Sequence, residues 1–223
     1  MPRPEPTRIY HITHVENLGS ITATGGLLSD AEMIARGGPQ VAVGMSDIKR
    51  RRLELALKCH AGDKVGEYVP FFFFFFFFFF FCPRSVMLYI LRMGNRPGLT
   101  YLGGQGPMVH LELDVKRTIE WAAEEGVRWA FTNGNAAIAY TDFFSGEDDL
   151  EQVNWDAVAT DDFRNSRVRE AKEAEFLVKR FVPWELVERV GVRSEKVAEE
   201  AAVAIGPGGH RPSVEVCRGW YFP

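Results

Sequence analysis

Apolar and polar positions follow two different periods along this chain. A two-residue alternation predicts strands over residues 8–13, 108–114, 127–132 and 174–182, with an edge strand near 213–218. A helical spacing predicts helices over residues 15–24, 46–58, 115–124, 184–190 and 194–204, and residues 84–93 fit either type. Because strands and short helices are interspersed, the pattern predicts one mixed α+β domain spanning residues 1–223.

Two segments depart from both periods. Residues Phe71 to Phe81 are eleven consecutive phenylalanines, too few for a membrane span of about 20 apolar residues. We interpret them as an expanded form of a short aromatic core strand between Pro70 and Cys82. Residues 133–165 are polar and rich in Asn, Asp and Gly, which is typical of a long functional or disordered loop.

Composition limits the classes of function. The net charge of -4 means that any contact with nucleic acid must come from a local basic patch. The three cysteines are far apart and form no CxxC pair, which argues against a zinc site or a disulfide framework. The first ten residues lack the apolar stretch of a signal peptide. These features predict a cytoplasmic protein with reduced thiols and no metal.

The first candidate feature for chemistry is the predicted first strand. The chain has no GxGxxG, P-loop, GxSxG or HExxH motif, so the familiar sites that use them are excluded. On a strand, His11 and Thr13 point to the same face. An imidazole beside a hydroxyl can bind ribose hydroxyls and a carboxamide. The alternative is that His11 is a structural histidine.

The second feature is the cationic run from Lys49 to Arg52 on a predicted helix. Successive helix residues point about 100° apart, so at least one of these cations faces the body of the protein. An inward arginine requires an anion, and a pyrophosphate bound by two parallel hydrogen bonds is a good candidate. The alternative is a fully solvated face.

The third feature is Glu175, where the polar loop enters an apolar strand. Ribosyl transfer passes through an oxocarbenium-like centre, and a carboxylate that binds the ribose 2′-hydroxyl stabilises that positive charge. Otherwise Glu175 is a surface charge. Four aromatic side chains of the loop either stack on bases or pack against the body: Phe143, Phe144, Trp155 and Phe163.

Taken in this order, the three features resemble the DarT family of DNA ADP-ribosyltransferase toxins. The matching stretches are YHITHVENLGSI, GMSDIKRRRLEL, CPRSVMLY and EAKEAEFLVKRFVPWELV, which are spread over nearly the whole chain. The resemblance implies an ADP-ribosyltransferase-like fold, in which helices surround a split antiparallel β core and NAD+ lies in the cleft. The chain departs from the family in its phenylalanine tract, where the family has a short aromatic strand.

The resemblance also implies roles for individual residues. It places His11 and Thr13 on the ribose and nicotinamide side of NAD+, with Asn17 nearby. It implies an essential arginine, which we place at Arg51 with Arg50 and Arg52 as alternatives, and a catalytic glutamate at Glu175. The region 133–170 would be the substrate-recognition loop. The implied acceptor is a thymine ring nitrogen in single-stranded DNA, and the implied partner is the macrodomain antitoxin DarG.

In the mechanism that follows from this resemblance, nicotinamide leaves and Glu175 stabilises the ribosyl cation. Arg51 holds phosphate and helps the thymine nitrogen to lose its proton. Two alternatives stay open at this point. One is an ADP-ribosyltransferase that acts on RNA or protein, and the other is a non-enzymatic module that binds single-stranded nucleic acid.

Overall fold

A computed structural model describes residues 1–29, 32, 35, 55–69, 79–96, 99, 101–138 and 140–223. The strands are β1 (Arg8–His14), β2 (Gly26–Leu28), β3 (Tyr68–Val69), β4 (Phe79–Phe80), β5 (Met108–Asp114), β6 (Trp129–Thr132), β7 (Phe143–Phe144), β8 (Glu175–Lys179), β9 (Phe181–Pro183), β10 (Val187–Val192) and β11 (Ser213–Val216). The α-helices are α1 (Leu18–Ala23), α2 (Val86–Met93), α3 (Val115–Glu124), α4 (Trp155–Ala159), α5 (Ser166–Lys172) and α6 (Glu195–Ile205).

Most of the described strands belong to one large sheet. Its order is β11-β10-β5-β1-β4-β8-β6-β7, and β3 pairs with the far end of β8. The long central pair runs antiparallel, from Arg8 opposite Asp114 to His14 opposite Met108. Only the β10–β11 pair is parallel among the described strands. The mixed α+β class predicted from the sequence is therefore confirmed.

The β core is split between β8 and β9. Arg180, which joins these strands, has a left-handed φ of 68° and breaks what the sequence pattern presented as one strand over 174–182. Its backbone is held from two sides, because its N–H donates to Glu67 and its carbonyl accepts from Ser29. β9 then pairs with β2 in a separate two-stranded sheet. The expected split antiparallel core is present.

Alternating side chains build a hydrophobic core on each face of the large sheet. On one face, Ile9 and Leu111 pack under α6, which contributes Val197 and Ala201 at helical spacing. On the other face, Ile12, Phe80 and Leu177 pack with Leu88 of α2 and with the C-terminal Tyr221. Both faces of the central strands are therefore covered, and side chains at the start of β8 lie in the interior.

Several predicted elements agree closely with the structure. β5 and α3 have the predicted bounds. The ambiguous segment 84–93 contains the helix α2 (Val86–Met93), which is capped by Ser85, whose hydroxyl accepts from the Leu88 N–H at 3.1 Å. The predicted helix over 184–190 is wrong. A short 3-10 turn at Trp184–Leu186 is followed by β10, because Val187 and Val190 find partners on β5.

The predicted second helix, 46–58, is also wrong at its end. Residues 46–54 lie outside the described part of the chain. Leu55 and Leu57 exchange backbone hydrogen bonds with Val65 and Asp63, and Ala56 forms an isolated bridge with Lys64, so this end of the segment is extended. Pairing with the residues that follow replaces the helical turn.

The phenylalanine tract enters the sheet at its C-terminal end. Phe79 and Phe80 form β4 between β1 and β8, and both are buried together with Phe81. This agrees with a core strand at that position, while residues 71–78 lie outside the described part of the chain. Among the described helices, none combines the length and the apolar character needed to cross a membrane.

Candidate active site

Glu175 is the first residue of β8 and is fully buried. Its backbone N–H donates to Thr132 Oγ1 at 3.0 Å, which ties it to the end of β6. Its carboxylate Oε1 accepts the N–H of Ala136 at 3.3 Å. The loop that follows β6 therefore folds back over the strand end and holds the side chain that the sequence predicts to be catalytic.

A second carboxylate, Glu173, lies just before this strand. Asn135 Nδ2 donates to Glu173 Oε2 at 3.0 Å, and Asn135 is the loop residue next to Ala136. Burial raises the pKa of Glu173, and the hydrogen bond from Asn135 and the charges of Arg96 and Arg169 oppose that rise. The sequence did not single out Glu173, because it caps the helix before β8 and carries no strand alternation with Glu175.

A groove of about 1110 Å³ lies beside Glu173. It is lined by residues of α2, of α5 and of the segment between α4 and α5. Its cationic side chains are Arg96, Arg164 and Arg169, and its aromatic side chains are Tyr89, Phe163 and Phe222. The Tyr89 and Phe163 rings meet edge to face at 5.3 Å. Arginine and aromatic side chains can contact the phosphates and bases of a nucleic-acid strand, and four carboxylates line the same groove.

The four loop aromatics of the sequence analysis have different environments. Phe163 lines the groove. Trp155 is buried, donates from its ring nitrogen to Leu150 O at 3.1 Å, and packs edge to face on Phe81. Phe143 and Phe144 are half-buried on β7, where Phe144 stacks on Phe131. Of the four, Phe163 is thus the ring that lines the groove, and Trp155 is a core residue.

The fold brings together only some of the residues predicted to bind NAD+. Asn17 Nδ2 donates to Thr13 Oγ1 at 3.2 Å, and both residues are buried. His11 is fully buried beside the Phe79 ring, and burial followed by the charge of His110 lowers its pKa to about 3. It is therefore neutral at physiological pH. Strand alternation places His11 and Thr13 on the opposite face of the sheet from Glu175, because Tyr10, Phe80 and Glu175 are successive register partners.

Arg51 and its neighbours Arg50 and Arg52 lie outside the described residues, so the geometry of the predicted phosphate contact stays a prediction. Within the described ranges, no group of three His, Cys, Asp or Glu side chains is arranged to hold a metal ion. A larger cleft of about 1240 Å³ between α6 and the C-terminal residues is lined by none of the predicted site residues.

Comparison with known proteins gives a consistent result over the whole chain. The sequence profile of a family described as "ssDNA thymidine ADP-ribosyltransferase, DarT" matches residues 10–222. A DNA ADP-ribosyl transferase of Thermus aquaticus is 37% identical over 221 residues, which cover 98% of this chain and 90% of the relative.

Two solved structures of Thermus sp. 2.9 DarT are also similar. The complex with ADP-ribosylated ssDNA has a TM-score of 0.86 at 32% identity and covers 100% of this chain and 99% of that one. The complex with NAD+ has a TM-score of 0.79 at 32% identity, with 99% and 100% coverage.

Proposed function

The chain belongs to the DarT family of ssDNA thymidine ADP-ribosyltransferases, and from this premise we propose that it transfers ADP-ribose from NAD+ to thymine bases of single-stranded DNA. Nicotinamide is the leaving group. The observation that carries this proposal is the full-length likeness to a Thermus DarT that holds its ADP-ribosylated DNA product. The same comparison disfavours the alternative of a non-enzymatic binding module.

Glu175 is assigned the central catalytic role. When nicotinamide departs, positive charge develops on the ribose carbon and its ring oxygen. A carboxylate that accepts a hydrogen bond from the 2′-hydroxyl stabilises this charge through the sugar. The fixed position of Glu175 at a strand end, with its backbone bound to Thr132 and its carboxylate bound to Ala136, supports the assignment because a preorganised charge costs no reorganisation during reaction.

The NAD+ contacts are a further part of the proposal. We assign Thr13 and Asn17, which are hydrogen-bonded to each other, and the neutral imidazole of His11 to the ribose and nicotinamide side of NAD+. His11 and Thr13 project from the face of the sheet opposite to Glu175. NAD+ would therefore contact Thr13, Asn17 and His11 at the end of β1. Arg51 would bind a phosphate group.

The acceptor strand is assigned to the groove beside Glu173. Arg96 and Arg169 offer contacts to phosphate, and Phe163 offers a stacking surface to a base. The target nitrogen of a paired thymine is engaged in the duplex, so an unpaired strand gives access without the cost of base flipping. Because four carboxylates line the same groove, it carries no net positive charge, and its phosphate contacts would come from individual arginines.

The partner is proposed from the family alone. A macrodomain antitoxin of the DarG type would remove the ADP-ribose that this chain attaches to DNA. Because NAD+ and DNA are both found in the bacterial cytoplasm, we propose that compartment for the reaction. Treating ADP-ribosylated oligonucleotides with a purified macrodomain and measuring loss of the adduct tests the partnership.

The activity is tested by incubating the protein with labelled NAD+ and, separately, with single-stranded DNA, duplex DNA, RNA and protein. We expect label on thymine-containing single-stranded DNA and little on the duplex, with mass spectrometry locating the adduct on the base. An oligonucleotide without thymine is the matched control. Label on RNA or on protein side chains instead would replace this proposal by the alternative acceptor.

The role of Arg51 is tested by three single alanine variants. We expect Arg51→Ala to reduce transfer and NAD+ affinity far more than Arg50→Ala or Arg52→Ala, because adjacent cations on the predicted helix would point about 100° apart and could not face one ligand equally. Arg51→Lys should not restore activity fully, since lysine lacks the planar fork that binds phosphate. Equal losses in all three alanine variants would indicate a diffuse patch that attracts DNA.

A further inference from the structure

The proposed reaction leaves one proton unassigned, and this inference rests on the proposed function. The acceptor nitrogen of thymine carries a hydrogen, which must leave as the bond to ribose forms. Arginine remains protonated at all physiological pH values, so Arg51 can stabilise developing negative charge but cannot accept the proton. A general base is therefore needed within reach of the base.

Four carboxylates line the groove that we assign to the acceptor strand: Asp161, Asp162, Glu170 and Glu173. Two of them are already ion-paired, Asp161 with Arg84 and Asp162 with Arg164. Glu170 lies one turn earlier on α5, farther from Glu175 along the chain. Glu173 is the carboxylate of this set that sits next to the catalytic strand end.

Consecutive residues of one loop hold Glu173 and Glu175. Asn135 donates to Glu173 Oε2 at 3.0 Å, and Ala136 donates to Glu175 Oε1 at 3.3 Å. The two carboxylates are thus fixed relative to each other by the same stretch of backbone. Within the described residues, the second oxygen of Glu173 makes no hydrogen bond, so it is available to a ligand in the groove.

The charges around Glu173 suit a base. Arg96 and Arg169 face it and favour the ionised form, whereas Glu170 disfavours that form. Burial raises the pKa of Glu173 above its ordinary value, which makes the carboxylate a stronger proton acceptor than an exposed glutamate. Glu175 is fully buried, accepts the N–H of Ala136, and is assigned to the ribose.

We propose that Glu173 is the general base that removes the proton from the acceptor nitrogen of thymine. As the bond between ribose C1′ and nicotinamide breaks, its electron pair leaves with nicotinamide. The electron pair of the thymine N–H bond forms the new bond to C1′. The proton passes to the free oxygen of Glu173 and then to water, which returns the carboxylate for the next turnover.

Glu173→Gln is the first test. Glutamine keeps the size of the side chain and an oxygen that accepts from Asn135, but it cannot take a proton. Transfer to a thymine oligonucleotide should fall by about 10²–10⁴-fold at neutral pH, which is the usual contribution of a general base. NAD+ affinity, measured by calorimetry, should stay unchanged.

Two further readouts separate a base from a merely structural residue. The deficit of Glu173→Gln should shrink at alkaline pH, where the ring N–H ionises without help. It should also shrink when thymine is replaced by 5-bromouracil, whose ring N–H is more acidic. Glu120→Gln removes one exposed negative charge from α3, outside the groove, and is the matched control, expected to act at the wild-type rate.

Distinct outcomes would overturn distinct statements. Glu173→Gln at the wild-type rate, or a deficit that is the same at every pH and with both acceptors, overturns the role of Glu173 as a base. In both cases the wild-type protein still modifies thymine. A wild-type protein that leaves thymine oligonucleotides unmodified overturns the proposed function itself, and the inference with it.

Discussion

Asp63 and Glu173 are carboxylates near opposite ends of β8, and they differ in the number of hydrogen bonds that they accept. Asp63 accepts three hydrogen bonds, from Tyr68 Oη at 2.7 Å, Lys179 Nζ at 2.6 Å and Arg128 Nη1 at 3.0 Å. Although burial alone would raise the pKa of Asp63, these three donors lower it to about 2. Glu173 has one amide donor, and burial raises its pKa.

This difference separates a carboxylate that holds the fold from one that is available for chemistry. Asp63 links the segment that carries β3 to the end of β8 and to the residue before β6. Both of its carboxylate oxygens accept hydrogen bonds. Glu173 keeps an oxygen open toward a groove. A carboxylate that is available for chemistry is therefore recognised by its unused hydrogen-bonding capacity as much as by its position.

The largest effect on activity is expected at Glu175, which belongs to the proposed catalytic site and lies beside Glu173. Glu175→Ala should lower transfer by about 10²–10³-fold or more, because the group acts mainly on the transition state. NAD+ binding and the melting temperature should change little. Turnover and calorimetric NAD+ affinity of the purified variant measure this. A folded Glu175→Ala protein that turns over almost normally would contradict the assignment.

Asp63→Asn should show the reverse pattern. It leaves Lys179 without its buried partner, and we expect a loss of about 2–3 kcal/mol in the free energy of unfolding, or about 5–10 °C in Tm. The expected loss is below that of a fully buried pair, because Arg128 is half exposed. Activity per folded molecule should stay at the wild-type level. Denaturant unfolding and active-site-normalised rates test this.

Asp162→Asn is the matched control for that prediction. The hydrogen bonds from Arg164 lower the pKa of Asp162 to about 2, as in Asp63, but both partners are exposed. We expect no measurable change in unfolding, since water and salt screen an exposed pair. A loss equal to that of Asp63→Asn would mean that the pKa shift, and not burial, determines the stability contribution.

Elements whose signals are local could be predicted from the sequence, whereas elements that depend on distant partners could not. β5 and α3 were predicted with correct bounds because their periodicity is local and an Asp cap and a glycine stop are encoded within the segment. Residues 187–190 were assigned to a helix because the pattern does not record that β5 and β11 lie on either side of them. Distant partners decided that element.

The same limit applies to the site. Glu175 was identified from its place at the junction of a polar loop and an apolar strand. Glu173 was missed because its character depends on Asn135, which is far away in sequence and meets it only in the folded loop. The break at Arg180 likewise depends on Ser29 and Glu67. The local sequence pattern predicts where such residues lie in the fold, whereas their reactivity depends on neighbours that only the folded chain brings together.

The pH dependence of unfolding tests whether carboxylates or histidines account for most of the stability that is lost below neutral pH. Burial lowers the pKa of His11 to about 3 and that of His110 to about 4. A group whose folded pKa is depressed stabilises the protein above its unfolded pKa of about 6.5, and this contribution is lost as pH falls toward the folded value. Each histidine should cost about 1.4 kcal/mol of unfolding free energy per pH unit between about pH 6 and 4.

Asp63 contributes little loss in that window, because most of its contribution is lost only below its unfolded pKa of about 3.9, as pH falls toward the lower folded value. Urea unfolding at several pH values should therefore give the same slope for Asp63→Asn as for the wild type. His110→Gln, which keeps a donor toward Pro83 O but does not titrate, should reduce the slope by about 1.4 kcal/mol per pH unit. An unchanged slope in His110→Gln would exclude that histidine as a source of acid lability.

The smallest effect is expected at Phe163, which tests whether the groove beside Glu173 binds the DNA strand. Phe163→Ala removes the proposed stacking surface but leaves Tyr89 and Phe222, which meet each other at 5.3 Å, in place. Stacking of one base on an aromatic ring contributes about 1 kcal/mol at the low end, so KM for the oligonucleotide should rise about fivefold with kcat nearly unchanged. Phe144→Ala is the matched control, since that ring stacks on Phe131 and should affect unfolding and leave KM unaltered. If both variants change KM equally, or if Phe163→Ala leaves it unaltered, the acceptor strand does not lie on this ring.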